Sequence, residues 1–374
     1  MPRSNAVLVK VALFTVVGCG FAGCGFAPAA SGGAGAAGPP LGSGASNGTG
    51  LVGGGAAQNG HGAVTGMNCA EFSQPVNKLP PDILIVLDAS GSMNNDISDT
   101  SCGNNGCGAT SKWAQMTPAI NTVVGMTETT VNWGLKFFAD DAMCAVGNNV
   151  AVPIGTNQAG AIMTAITGRT SANGGVSNGS RTPTRSAEAA GAAYMRGLTD
   201  MNPRFIVLAT DGLPNCAPGA SDTAADDSAG AVMAVADAFG MGIPTFVVGI
   251  ATGGTTADAT LNNMANAGGY PAMGSPAYYS VSSTSQFVSV LQTLVGVAAS
   301  CTFAVPTPPN DMTDRGHIGV IVNGTEISRD PSQTNGWDYT STGMTAIQIF
   351  GPNCNTILNG GTPDVKIVFK CIVS

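Results

Sequence analysis

Short apolar runs recur along the middle of the chain, and each ends in a polar or glycine-rich turn. The run over residues 82–88 is continuous and contains β-branched residues, which is typical of a strand buried on both faces of a parallel sheet. Similar runs cover 131–138, 204–210 and 243–250. Segments with helical spacing cover 112–126, 182–198, 223–239, 256–267 and 284–297. Strands that alternate with helices predict an α/β fold with a doubly wound, mostly parallel sheet.

After Cys301 the apolar pattern shortens to a period of two. Alternating segments follow a Pro-rich linker, and an Asn323-Gly324 turn separates two of them. In the last segment Val365, Ile367 and Phe369 fall on one face. We therefore expect a sheet domain over residues 67–300 and a small, disulfide-linked antiparallel β domain over 301–374.

The first residues have the pattern of a short signal peptide over residues 1–18. Arg3 and Lys10 precede an apolar run that is too short to span a bilayer, which needs roughly 20 residues. The run ends at Cys19, and Val16-Val17-Gly18-Cys19 resembles the bacterial lipobox, which predicts a lipid on Cys19. Two alternatives stay open: lipidation at Cys24, or an ordinary cleaved signal or retained anchor.

Charge is absent from a long stretch of the chain. The 374 residues carry 14 Lys and Arg against 22 Asp and Glu, yet none of these lies between Val11 and Ala70. Residues 19–66 are rich in Gly, Ala and Ser, so they bury too little apolar surface to offset the entropy of ordering. We predict a disordered tether there; a cleaved propeptide is the alternative. The formal charge of −8 argues against nucleic acid as a partner.

The cysteines point to an oxidising compartment. Ten are present, and eight of them lie beyond the lipobox region, an even number without any Cys-x-x-Cys motif. Zinc and thiol redox sites are therefore disfavoured, and structural disulfides are expected. An exported chain with a lipid anchor predicts a place in a bacterial cell envelope, on the outer membrane or the cell surface.

The candidate chemistry lies where the predicted strands end. Asp88, Ser90 and Ser92 follow the first apolar run in an Asp-x-Ser-x-Ser pattern. Thr182 opens a predicted helix, and Asp211 follows another predicted strand. In a doubly wound sheet, ligands bind at the carboxyl ends of the central strands, so these side chains are expected to converge.

This set of motifs resembles the metal-ion-dependent adhesion site (MIDAS) of von Willebrand factor type A domains, and the resemblance covers roughly residues 79–300. It implies a Rossmann-like fold, with Ser90, Ser92 and Thr182 bound directly to a metal and Asp88 and Asp211 bound directly or through water. It further implies that a carboxylate from a protein partner completes the coordination shell.

Hydroxyl and carboxylate oxygens suit Mg²⁺, and Ca²⁺ or Mn²⁺ would also accept such hard ligands. A purely structural alternative exists, because Ser90 and Thr182 are also residue types that cap helices. Convergence of five such residues from separate loops favours the metal site.

Four disulfides are expected on this domain map. Cys69 and Cys301 flank the predicted type A domain, whose ends should lie close, so we pair them. Cys144 follows the second strand and Cys216 follows Asp211, so a bond between them would stiffen the rim of the metal site. The remaining predicted pairs are Cys102 with Cys107 and Cys354 with Cys371.

An enzyme is not expected. Ser177 lies in a Gly-x-Ser-x-Gly sequence, but that sequence follows no predicted strand. The two histidines, His61 and His317, lie in the tether and the C-terminal β domain, where neither is placed to act as a general base in the sheet domain. The sequence therefore predicts a surface-tethered, metal-dependent protein-binding module. The alternative is a structural envelope protein that does not use the metal.

Overall fold

The computed structural model describes residues 72–140, 143–177, 181–252, 256–299, 301–310, 313–340, 342–359 and 364–371. The predicted signal peptide, the lipidation at Cys19 or Cys24, the tether and Cys69 lie outside the described residues. Within the described part, no helix combines the length and the apolar character needed to cross a bilayer.

Two groups of strands and seven α-helices make up the described chain. The strands are β1 Phe72–Pro75, β2 Asp82–Asp88, β3 Asn132–Phe138, β4 Val152–Gly155, β5 Arg204–Thr210, β6 Thr245–Ile250, β7 Tyr279–Val281, β8 Cys301–Ala304, β9 Thr313–Val322, β10 Thr325–Ile327, β11 Gly336–Tyr339, β12 Ala346–Phe350 and β13 Val365–Cys371. The helices are α1 Lys112–Thr127, α2 Ala159–Arg169, α3 Thr184–Arg196, α4 Ser228–Gly240, α5 Ala257–Ala267, α6 Thr284–Ala298 and α7 Pro352–Asn359.

The main sheet has six strands in the order β4-β3-β2-β5-β6-β7. All neighbouring pairs are parallel except β3 with β4. Strand β2 lies between β3 and β5 and is buried along its whole length, as its continuous apolar sequence predicts. The α/β, mostly parallel fold expected from the sequence is confirmed.

Helices cover both faces of this sheet, and alternate residues of β2 show why. Ile83, Ile85 and Leu87 pack into a core with residues of α1, α2 and α6. Leu84 and Val86 point the other way, into a second core with residues of α3, α4 and α5. Because both sides of β2 are apolar, neither face of the strand can be left to solvent.

The C-terminal β unit contains two small antiparallel sheets, in the orders β1-β13-β9-β10 and β11-β12-β8. Side chains from both sheets, among them Phe303, Trp337 and Phe369, share one buried core. The antiparallel β unit expected from the alternating pattern is confirmed. The short helix α7 was not predicted.

Strand β1 is a further difference from the expected domain map. It lies within residues 67–300, yet Phe72 pairs with Phe369 and Pro75 with Lys366 of β13. The chain then passes Leu79, whose N–H donates to the carbonyl of Thr302 at 2.8 Å, and enters β2 at Asp82. The described chain therefore begins in the β unit and reaches the main sheet at the end where its parallel strands start.

One disulfide of the β unit corrects two predicted pairings. Cys301 at the start of β8 is bonded to Cys354 of α7. The predicted bonds of Cys301 with Cys69 and of Cys354 with Cys371 are therefore wrong. The prediction failed because it placed Cys354 beside β13, whereas the sequence around it forms a helix that packs on β8 and β12.

Candidate metal centre

The end of strand β2 and the turn that follows it carry Asp88, Ser90 and Ser92. Asp88 is the last residue of the strand, and a 3₁₀-helix over Gly91–Asn94 starts three positions later. Between the two, the N–H of Ser90 donates to Oδ1 of Asp88 at 2.8 Å. The hydroxyl oxygens of Ser90 and Ser92 lie 3.0 Å apart. Three of the five predicted ligands therefore form one hydrogen-bonded group.

A second part of the site comes from the neighbouring strand β5. The hydroxyl of Ser92 donates to Oδ1 of Asp211 at 2.8 Å, across 119 positions of sequence. Thr210, the last residue of β5, donates from its hydroxyl to Oδ2 of Asp88 at 2.6 Å. Because β2 and β5 are adjacent and parallel, their carboxyl ends bring these side chains to one edge of the sheet.

Thr182 lies in the segment that precedes α3 and is bonded to the loop after β5. Its N–H donates to Oδ1 of Asn215 at 2.7 Å, and its carbonyl accepts from the N–H of Asn215 at 3.0 Å. Asn215 lies four positions beyond Asp211, so the loop after β5 holds Thr182 in place. Thr182 is 5 % exposed. In the described residues its hydroxyl makes no hydrogen bond to the other four predicted ligands.

Burial dominates the electrostatics of the two carboxylates. Asp88 is fully buried and Asp211 is 6 % exposed. Burial raises the pKa of Asp88 to about 7, and the nearby charge of Asp211 adds to the rise, while the hydroxyls of Thr210 and Ser90 oppose it. Two buried carboxylates that repel each other are costly unless a positive charge lies near them.

These residues fit a hard divalent cation. The site offers two carboxylates and three hydroxyls, which are oxygen donors of the kind that Mg²⁺ binds together with water. The described residues contain no cluster of three or more His, Cys, Asp or Glu side chains placed to bind a metal, which disfavours a site of soft or imidazole ligands among them. The chemistry of the donor set therefore matches Mg²⁺, Ca²⁺ or Mn²⁺ and disfavours a zinc site built from Cys and His.

Lys112 is the residue that sequence reasoning missed. It is the first residue of α1 and is fully buried. Its Nζ lies 2.9 Å from Oδ2 of Asp211 and 2.6 Å from Oδ1 of Asp99. Burial by itself would lower the pKa of Lys112, but these two carboxylates raise it above the ordinary value, so the side chain stays charged. A lone lysine at the start of an apolar helix was the only cue in the sequence.

Two disulfides hold the rim of the site. Cys144, in the loop after β3, is bonded to Cys216, which follows Asn215. Cys102 and Cys107 close a short loop between the 3₁₀-helix and α1. Both bonds were expected from the sequence. The Cys144–Cys216 bond links the loop after β5, which carries Asp211, to the loop after β3.

The sequence was compared with models of known domain families, and one of them matches most of the sheet domain. The model of the von Willebrand factor type A domain matches residues 82–294, which is more than half of the chain. The chain belongs to the von Willebrand factor type A domain family. The type A family that the sequence motifs suggested is thereby confirmed, and the match ends within α6. No curated protein matches the sequence.

Comparison with solved structures finds similar chains at low sequence identity. The pilus adhesin SpaC from Lactobacillus rhamnosus GG aligns at 14 % identity and a TM-score of 0.41, over 80 % of this chain and 40 % of SpaC. The PilB minor pilin from Streptococcus sanguinis aligns at 15 % identity and 0.41, over 60 % of this chain and 63 % of PilB. Manganese-loaded TRAP from Plasmodium vivax aligns at 13 % identity and 0.42, over 75 % of this chain and 97 % of TRAP. This chain therefore spans less than two thirds of SpaC and of PilB.

Proposed function

We propose that this protein is a surface-tethered module that binds a protein partner through a divalent metal. The observation that carries the proposal is the convergence of Asp88, Ser90, Ser92 and Asp211 through direct hydrogen bonds at the carboxyl edge of the sheet. Thr182 is bonded to Asn215, which lies in the loop that carries Asp211. Mg²⁺ is the proposed ion, and Ca²⁺ and Mn²⁺ suit the same donors.

In this proposal the hydroxyls of Ser90, Ser92 and Thr182 hold the metal, and Asp88 and Asp211 supply negative charge directly or through water. The bound ion supplies Lewis acidity toward one oxygen ligand from outside the protein. A carboxylate of the partner is the ligand of matching charge and hardness. The chain itself contributes the orientation: each predicted ligand lies at a strand end or a helix start that packing fixes.

The proposed site lies at the end of the main sheet opposite to the entry of the chain. Strand β2 carries the chain from Asp82, next to the β unit, to Asp88 at the metal site over seven residues. At about 3.3 Å per residue, this path is roughly 20 Å long. A signal peptide, a lipid on Cys19 and a tether over 19–66 belong to the proposal and would place the module on the bacterial envelope.

The proposed module is not an enzyme. Ser177, the serine of the Gly-x-Ser-x-Gly sequence in the sheet domain, donates its hydroxyl to the carbonyl of Arg169 at 2.9 Å. His317 lies in β9 of the β unit, where its Nδ1 is 2.8 Å from Oδ1 of Asp314. A serine nucleophile needs a base within hydrogen-bond reach, and the described partner of this hydroxyl is a backbone carbonyl.

One observation favours the second candidate, a structural envelope protein that does not use a metal. Lys112 already gives Asp211 a positive partner at 2.9 Å. A buried carboxylate with a lysine partner does not need a cation to be tolerated. The two candidates therefore differ in whether the remaining negative charge and the hydroxyls bind an ion.

Partner capture separates the two candidates. The immobilised protein and its Asp88→Ala variant are exposed to solubilised envelope proteins, once with Mg²⁺ and once with a chelator. The proposal expects captured proteins only with wild type and Mg²⁺. Capture that survives the chelator, or is equal in Asp88→Ala, would favour the structural role.

A further inference from the structure

Lys112 is not one of the proposed metal ligands, but it is in direct contact with one of them, Asp211. Its ammonium group is fully buried and bonds at once to Oδ2 of Asp211 and to Oδ1 of Asp99. Because a lysine is rarely buried without a partner, these two contacts account for its burial. It is therefore a fixed positive charge beside the site.

The contact with Asp211 restricts what that carboxylate can do. Oδ1 of Asp211 accepts from Ser92, and Oδ2 accepts from Lys112. A carboxylate held at both oxygens is oriented before any ligand arrives, which lowers the entropic cost of using it. Part of its negative charge is also balanced inside the protein, so less of it remains to attract a cation.

The net charge of the buried groups shows the consequence. Counting only the buried groups, and leaving out the half-exposed Asp99, Asp88 and Asp211 contribute −2 and Lys112 contributes +1, so a bound dication would leave the buried centre at about +1. Without Lys112 the same count gives about zero. A positive centre attracts an external carboxylate, and a neutral one does so more weakly.

We propose that Lys112 is a positioning residue of the metal site, an internal counter-ion that lowers metal affinity and leaves the bound metal more attractive to a carboxylate from outside. This inference rests on the proposed function. Asp99 is the second anchor of the lysine; its side chain is 51 % exposed, and Nδ2 of Asn95 donates to its Oδ1 at 3.0 Å. The loop that contains Asp99 and the Cys102–Cys107 bond is thus linked to the site through Lys112.

The first test measures Mn²⁺ affinity by calorimetry for wild type, Lys112→Met and Lys136→Met. Lys136 is a matched control, because it is also buried in the type A domain, but its Nζ donates to the carbonyls of Gly147 and Asn149. Lys136 also lies 3.9 Å from Oδ2 of Asp140, but none of its described partners is a predicted metal ligand, so its loss should leave the affinity unchanged. Lys112→Met should bind Mn²⁺ at least ~10-fold more tightly, since a repelling charge is removed.

The second test adds acetate as a carboxylate probe to the Mn²⁺-loaded proteins and follows water proton relaxation. Acetate should displace water from Mn²⁺ in wild type at a several-fold lower concentration than in Lys112→Met. A purely structural role for Lys112 would weaken Mn²⁺ binding in the variant, which is the opposite direction. That result, or equal affinity in the two proteins, overturns the inference and leaves the proposed function standing.

A third variant guards against failure of Lys112→Met to fold. Asp99→Asn removes the exposed anchor and leaves Asp211 as the sole carboxylate partner of the lysine, so Mn²⁺ affinity should fall several-fold. Unchanged affinity in Asp99→Asn contradicts the inference. If wild type itself binds no Mn²⁺, the proposed function fails, and the inference fails with it.

Discussion

The hydroxyl of Thr210 donates a hydrogen bond to Oδ2 of Asp88 over 2.6 Å, although 122 positions separate the two residues. Both are fully buried, and each is the last residue of its strand. The bond therefore joins the carboxyl ends of β2 and β5 at the point where the metal site is built. A hydrogen bond to a charged, buried acceptor is among the stronger ones in proteins.

Replacing Thr210 by Val should destabilise the protein by about 1.5–3 kcal/mol, because the shape is kept while the donor to a buried carboxylate is lost. Urea unfolding at about pH 8, where Asp88 with its pKa of about 7 is mostly ionised, measures this free energy. Thr210→Ser keeps the hydroxyl and serves as the control. A Val variant that is as stable as the Ser variant would show that Asp88 does not depend on Thr210.

The Cys144–Cys216 bond should contribute more stability than the Cys102–Cys107 bond. The first closes 72 residues and the second only 5. Loop-closure entropy predicts about 4 kcal/mol for the long loop and about 2 kcal/mol for the short one. Paired Cys→Ser double variants, compared by thermal or urea unfolding, measure both effects in the same protein.

Removal of the long-range bond should also weaken Mg²⁺ binding, since Cys216 directly follows the residue that holds Thr182. The Cys301→Ser/Cys354→Ser protein is the matched comparison here, because that bond lies in the β unit and closes 53 residues. Equal Mg²⁺ affinity in the Cys144→Ser/Cys216→Ser protein and in wild type would refute a role of this bond in shaping the rim.

Glu188 should make the protein less stable as the pH rises. It lies in α3, is fully buried, and accepts from the hydroxyl of Thr245 at 2.6 Å, while its other oxygen lacks a partner in the described structure. Burial raises the pKa of this carboxyl from 4.5 to about 7. The folded state therefore holds the proton more tightly than the unfolded state does.

Stability from Glu188 is then complete below pH 4.5 and is lost as the pH rises through the interval up to about 7. The full loss is on the order of 3 kcal/mol. Glu188→Gln removes this titration. Between about pH 5 and about pH 8, the unfolding free energy of the variant should therefore fall less than that of wild type. Parallel pH profiles of the two proteins would contradict the assignment.

Peptide mapping tests the corrected disulfide pattern. Proteolysis without reduction should release Cys301 and Cys354 in one linked pair of peptides. The three bonds of the structure use six of the eight cysteines beyond the lipobox region. A linked Cys69–Cys301 peptide would restore the pairing that the sequence suggested.

The main sheet could be predicted from sequence because its central strands carry unbroken apolar runs. Strand β2 is buried on both sides, so apolar residues are favoured at successive positions and the run is easy to recognise in the sequence. Strand β4 and helix α2 gave no such signal. Strand β4 is short and antiparallel at the sheet edge, and only Ile162 and Ile166 of α2 are buried.

The predicted ligands could be found because they occur in motifs at strand ends, where parallel strands converge. Lys112 and the pairing of β1 with β13 depend instead on contacts between distant segments. Lys112 is 99 positions from Asp211, and Phe72 pairs with a residue nearly 300 positions away. Neither hydrophobic periodicity nor local composition depends on contacts between distant segments, so these contacts could not be predicted from the sequence.

Calorimetric titration of the purified protein with Mg²⁺, Ca²⁺ and Mn²⁺ tests the metal site most directly, with Asp88→Ala measured beside it. The account predicts one ion bound per chain in wild type and loss of that binding in Asp88→Ala, with the variant still folded by circular dichroism. No binding of any of the three ions by wild type, or equal binding in the variant, would contradict it.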